Sequence, residues 1–224
     1  MKKKKIRFDL LSIFPNSLDS YFNSSLLRRA QEKKIISINK YNLRDNANDK
    51  HKTVDDTPYG GGPGMVLKIE PIYKTLKKIY PQRNKSTRVI LLTPRGKTFN
   101  QNKVKNLSKY KRIILIVGHY EAIDARIDKF VNEKISIGNF ILTGGELGAG
   151  IIIDSISRLI PGVLGQKDSL KEESFSEYNK KTKKFNIEYP QYTRPEVFKD
   201  LRVPKILLSG HHQKIKEWRR KNSK

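Results

Sequence analysis

Residues 136–165 read SIGNFILTGGELGAGIIIDSISRLIPGVLG, and the order of residue types in this stretch decides the fold. It opens as a loop, passes through a short apolar strand, turns at two glycines and continues as an amphipathic helix. Gly144 and Gly145 permit positive backbone φ or the close approach of a ligand or a second backbone, and Glu146 follows where a helix can begin. Ile152, Ile156, Leu159 and Ile160 then recur at helical spacing until Pro161 and Gly162 stop the run. Asp154 and Arg158, four apart, share one face of that helix. In apolar surroundings they are either a structural ion pair or the polar end of a site.

Upstream, the same alternation of element types repeats. Residues 6–14 form a buried strand ending at Pro15. A helix capped by Asn16 or Ser17 carries Leu18, Tyr21, Phe22, Leu26 and Leu27 and closes in a basic end at 28–34. Residues 35–39 are a second strand. Helices are expected at 71–79, 100–107 and 124–130, and strands at 88–92 and 112–117. Several strands are continuously apolar rather than alternating, the mark of a parallel α/β sheet covered on both faces. Ligands of such sheets bind beyond the carboxyl ends of the strands. Three glycine-bearing loops lie at such ends: 93–96, 118–124 and 137–145.

The stretch 41–64 has no apolar periodicity and is too long for an ordinary connector. It mixes Val54, Tyr59 and both signs of charge with glycines, so it is expected to be an ordered loop that touches a ligand. Residues 168–188 are rich in Lys, Glu and Ser and read as a linker. Beyond it, Ile206, Leu207 and Leu208 precede a cap at Ser209 or Gly210. A basic helix follows, with Ile215 and Trp218 beside Lys214, Lys216, Arg219 and Arg220, suited to phosphates.

At 224 residues and 36% hydrophobic, the chain can bury one full core plus a smaller appendage. It has no cysteine, which excludes disulfide frameworks, thiolate zinc sites and cysteine nucleophiles and fits a reducing cytoplasm. No apolar stretch approaches the roughly 20 residues needed to span a bilayer, so no membrane partner is expected. The net charge of +25 favours a nucleic-acid partner; coding bias toward lysine is the structural alternative. The dinucleotide and P-loop signatures are absent. The histidines are scattered, so no metal site is expected and they read as exposed or hydrogen-bonded.

The run 49–65, DKHKTVDDTPYGGGPGM, resembles the signature loop of bacterial tRNA (guanine-N1)-methyltransferases. So do 118–124, GHYEAID; 136–147; 154–165; and 192–197, YTRPEV. The resemblance runs in register from about residue 6 to about residue 218. It implies a SPOUT-class α/β parallel sheet with a C-terminal trefoil knot at 1–165, an interdomain linker at 166–188 and a small, shortened helical C-terminal domain for tRNA at 189–224. Knots are nearly absent from proteins, so general rules do not suggest one.

The implied reaction is S-adenosylmethionine-dependent methylation of N1 of guanine 37 in tRNA, by a homodimer whose loops complete each other's sites. Carried over by motif, the methyl donor would meet Pro94, Gly118, Tyr120, Ile137, Gly138, Asn139, Phe140, Ile141, Leu142 and Gly145. Mg²⁺ is also implied, without a ligand cluster to place it. Guanine N1 carries a proton at neutral pH, so a carboxylate must take it, and a guanidinium can stabilise charge developing on O6. Arg158 matches the family's arginine for that role. The family's base is the aspartate of Asp-Ser-Phe, where this chain has Glu173-Ser174-Phe175. Two other classes stay open: a tRNA-binding relative without turnover, and a small-molecule enzyme that uses the glycine loops for a nucleotide.

Overall fold

Arg112–Ile116 (β6) is the middle of the sheet, and its side chains alternate between two cores. Ile113 and Leu115 join the cluster that contains Phe8, Phe22, Ile152 and Ile156, while Ile114 and Ile116 join the cluster that contains Leu43, Ile72 and Leu76. Each face is therefore covered, which is why the strand is apolar at every position from Ile113 onward. A fully buried Leu or Ile contributes about 1.5–3 kcal/mol relative to an exposed one, so the two layers hold the sheet from both sides.

The computed structural model describes residues 5–165, 173–176, 178–179 and 184–223. They divide into two units, one ending at Gly165 and one beyond it. In the first, Ile6–Ser12 (β1), Ile36–Asn42 (β2), Thr87–Thr98 (β5) and Glu133–Ser136 (β8) join β6 in a parallel sheet of order β2-β1-β6-β5-β8. Ser25–Glu32 (α2), Gln101–Leu107 (α4) and Glu146–Arg158 (α5) cover one face, and Ile69–Ile79 (α3) covers the other. Asp55–Asp56 (β3), Val66–Leu67 (β4) and Ala122–Ile123 (β7) make a small second sheet; β3 and β7 lie inside stretches expected to be loop, and β4 just after one. Pairs of residues are too short to register as a pattern.

Several boundaries differ from expectation, each for a local reason. The first helix is broken in two, Asp19–Phe22 (α1) and α2, because Ser25 adopts φ +42° and the Ser24 hydroxyl donates to the Tyr21 carbonyl. The expected helix at 124–130 is a 3-10 turn, Ala125–Lys129, started by Asp124 accepting from the Arg126 amide. The apolar strand expected after Ser136 lies before it: β8 ends there, and residues 137–145 are irregular with Phe140 and Ile141 exposed. β5 runs on past Leu92 to Thr98, so Ile135 of β8 pairs both with Leu92 and with Lys97. Residues 93–96 arch over the Ile135 backbone between those pairings. A Cβ on Gly96 would lie 2.6 Å from the Ile135 Cα, so only glycine allows the approach.

Glu133 ties this edge together. Its carboxylate accepts from Arg88 Nε at 2.8 Å and from Lys103 Nζ at 2.6 Å, joining β8 to β5 and α4. Burial pushes the carboxyl up, but the two cations outweigh it and hold it below the ordinary 4.5. A depressed carboxylate stabilises the fold above its unfolded pKa, and that contribution disappears as pH falls through the folded value. Glu133→Gln is therefore expected to lower Tm by about 2–4 °C at pH 7. The gap from wild type should close below about pH 4, read by thermal melts across a pH series.

In the second unit, Tyr178–Asn179 (β9) pairs with Lys184–Phe185 (β10), and Val197–Phe198 (β11) with Leu201–Arg202 (β12). Lys205–Leu208 (α6) and His212–Asn222 (α7) follow. Much of the linker expected at 166–188 lies outside the described residues; the described part includes the β9–β10 pair. No helix among the described residues is long and apolar enough to cross a membrane.

Candidate methyl-donor site

The carboxyl ends of β6 and β8 and the middle of β5 open onto one cavity of about 330 Å³. Residues 93–95, 118–123, 137–138 and 140–145 of the three loops line it, together with Leu92, Ile135 and Gly148. Such a volume lies within the range of small-molecule sites, and the wall combines apolar side chains with glycine backbone. Of the residues expected to meet a methyl donor, Pro94, Gly118, Tyr120, Ile137, Gly138, Phe140, Ile141, Leu142 and Gly145 line this cavity. Asn139 does not, although both its neighbours do.

Close backbone approach closes the cavity at its inner end. The Gly145 amide donates to the Gly118 carbonyl at 2.9 Å, and His119 forms an isolated antiparallel bridge with Gly144. A Cβ on Gly145 would stand 2.7 Å from Val117 Cβ, which explains a glycine at the start of α5. Tyr120 takes φ +60°, a left-handed conformation that turns the 118–124 loop. The Arg126 guanidinium holds the Asp124 carboxyl at the end of that loop below the usual range.

A polar chain behind the wall was not foreseen. Glu146, buried in the first turn of α5, accepts from the Ser12 hydroxyl through one oxygen. Its other oxygen lies 2.7 Å from His119 Nε2. The helix N-terminus favours the carboxylate there. The chain ties β1, the loop after β6 and α5 to one another, and the Phe14 and His119 rings pack edge to face at 4.9 Å between centroids. His119 is thus a hydrogen-bonded histidine, the plainer of the two readings open to it. Sequence spacing could not link residues 12, 119 and 146.

A family model described as tRNA (Guanine-1)-methyltransferase TrmD matches residues 6–224. The chain is 53% identical over 220 residues to the tRNA (guanine-N(1)-)-methyltransferase of Clostridioides difficile strain 630, covering 97% of this chain and 92% of that protein. It is 48% identical to the protein of the same name from Dictyoglomus turgidum, covering 97% of this chain and 85% of that one. Among solved structures, the crystal structure of tRNA (m1G37) methyltransferase from Aquifex aeolicus superposes with a TM-score of 0.76 at 38% identity, covering 96% of this chain and 87% of that chain.

The chain belongs to the tRNA (guanine-1)-methyltransferase family.

Two further residues were expected in the reaction, Arg158 and Glu173. Arg158 ends α5, outside the cavity lining, and four residues before it Asp154 accepts from the Tyr21 hydroxyl. That hydrogen bond raises the Tyr21 hydroxyl above its ordinary pKa and gives Asp154 a partner on α1. Glu173 belongs to the second unit, in a turn where its carbonyl accepts from the Ser176 amide at 3.0 Å. The Phe175 amide donates to the Asn186 carbonyl at 2.7 Å, and the Glu188 amide to the Ser174 hydroxyl at 3.0 Å. No group of three or more His, Cys, Asp or Glu side chains that could hold a metal ion occurs among the described residues.

Proposed function

We propose that this protein transfers a methyl group from S-adenosylmethionine to N1 of guanine 37 of tRNA, beside the anticodon, in the cytoplasm. The observation that carries the reading is the convergence of three glycine-bearing loops on one cavity in a chain of this family. Bound there, the donor supplies an electrophilic methyl group on a sulfonium. Gly118 and Ile137, Gly138, Asn139, Phe140, Ile141 and Leu142 would hold it, largely through backbone groups, with Pro94, Tyr120 and Gly145 close by.

Glu173 takes the proton from guanine N1 and frees its lone pair to attack the methyl carbon. Arg158 stabilises the negative charge that moves onto O6 in a pocket from which water is excluded. Mg²⁺ receives no step, because the described residues offer no matching set of carboxylates.

The chain is proposed to thread a SPOUT-type trefoil knot. The double pairing of Ile135 and the passage of 93–96 over it support the reading, since a loop of this kind is what a knotted chain passes through. The protein is proposed to act as a homodimer through the outer face of α5. Leu147 and Ile151 stand 56% and 47% exposed there, and Tyr21 reaches Asp154 of the same helix. A contiguous apolar face of this kind marks an interface. The tRNA-binding domain proposed at 189–224 offers the basic face of α7 to phosphates.

Incubation with labelled S-adenosylmethionine and unmodified tRNA, followed by mass spectrometry of the nucleosides, is expected to give 1-methylguanosine at position 37. Label on another base, or none with intact tRNA, refutes the assignment. A non-catalytic relative is not supported by the relatives described, which carry methyltransferase names.

A further inference from the structure

The amino ends of the strands, opposite the cavity, carry a row of lysines. Lys34 precedes β2, Lys5 precedes β1, Lys111 precedes β6 and Lys85 lies two residues before β5, and all four are exposed. The backbone sets them side by side. The Arg7 amide donates to the Lys111 carbonyl at 2.9 Å, the Ile6 amide to the Ile35 carbonyl at 3.2 Å and the Lys111 amide to the Ser86 carbonyl at 2.9 Å. At about 4.8 Å between strands the row spans about 14 Å. It borders a concavity of about 420 Å³ that Lys5, Lys34 and Lys111 line together.

The nearby carboxylates are already engaged. Asp9 is fully buried between Arg7 and Arg112, Glu133 lies between Arg88 and Lys103, and Glu32 pairs with Arg28. Among the described residues none of the four lysines forms an ion pair. Lys34 also argues against mere coding bias toward lysine. It sits at φ +54° just after α2, a conformation that glycine adopts without cost and a β-carbon disfavours.

We infer that this row is a docking strip for the phosphate backbone of the tRNA body, away from the anticodon stem-loop. It rests on the proposed tRNA substrate. From Lys111 to Gly118 the sheet is about 20 Å tall, so a guanine in the cavity and the phosphates on the strip belong to separate parts of the RNA. Lysines neutralising phosphates release condensed counterions, which makes their contribution visible as salt dependence.

The test is the triple variant Lys34→Gly, Lys85→Gln, Lys111→Gln. Its Tm and its affinity for S-adenosylmethionine are expected to match wild type, because Lys34→Gly relieves the backbone and the other two side chains are exposed. For full-length tRNA the slope of log K against log salt should become shallower by about two to three, with roughly 10- to 100-fold weaker binding near 0.15 M salt. Binding of the isolated anticodon stem-loop should not change. An unchanged slope with full-length tRNA overturns the inference, as does an equal loss on the stem-loop, which would place the lysines at the methylated end. A wild-type protein that binds tRNA but methylates no guanine refutes the proposed reaction while leaving the slope comparison intact.

Discussion

Glu173→Gln is expected to lower single-turnover methyl transfer by roughly 10²–10⁴-fold, the usual worth of a positioned proton acceptor. Glutamine keeps the size and the hydrogen-bonding oxygen but cannot take the N1 proton. The hydrogen bonds that shape the turn use the Glu173 carbonyl, the Phe175 amide and the Ser174 hydroxyl, so the substitution leaves them in place. Affinity for S-adenosylmethionine should stay within twofold of wild type. The companion Glu173→Asp restores the carboxylate the family ordinarily uses and shortens the side chain by a methylene. A shift of about 1 Å can cost about a hundredfold, so the aspartate variant reports whether the surrounding chain has adapted to glutamate. Turnover of Glu173→Gln equal to wild type would remove this residue from the mechanism and leave the N1 proton to another base.

The second large effect is on the fold itself. Gly96→Ala places a methyl against the backbone of Ile135, and neither partner is the movable tip of a side chain. Overpacking of this kind costs about 1–3 kcal/mol, so Tm should fall by several degrees. Because residues 93–95, directly before Gly96, line the cavity, the affinity for S-adenosylmethionine should fall by about tenfold or more, measured by calorimetry on the folded variant. Gly165→Ala is the control, since a Cβ there meets nothing within 4 Å. If the two variants behave alike, residues 93–96 do not clasp β8 and the support for a threaded chain is lost.

Much of this arrangement is legible in one dimension. The largely apolar runs at 6–12 and 113–116 announce strands covered on both faces, and the fold sets them side by side as parallel neighbours. The glycines at 96, 118 and 145 mark loops at strand ends, and those loops meet in one cavity. Short elements were illegible: β3, β4 and β7 contain two residues each, and the break at Ser24–Ser25 depends on a single positive φ. The extension of β5 beyond Pro94 was hidden because the local signal there is a turn, and the pairing that overrides it comes from β8 forty residues away in sequence order.

The amino-acid order by itself determined the class of fold, the family and the loops from which a site could be built, because apolar period and glycine placement act over a few neighbouring residues. Only the tertiary structure decided that Ser12, His119 and Glu146 share a hydrogen-bonded chain, that Ile135 is gripped twice by one strand, and that lysines from separate loops form a single row. These are contacts between distant segments. Packing the sheet between two helical layers sets them, and no local pattern along the chain encodes the distance between groups that only the folded backbone brings together.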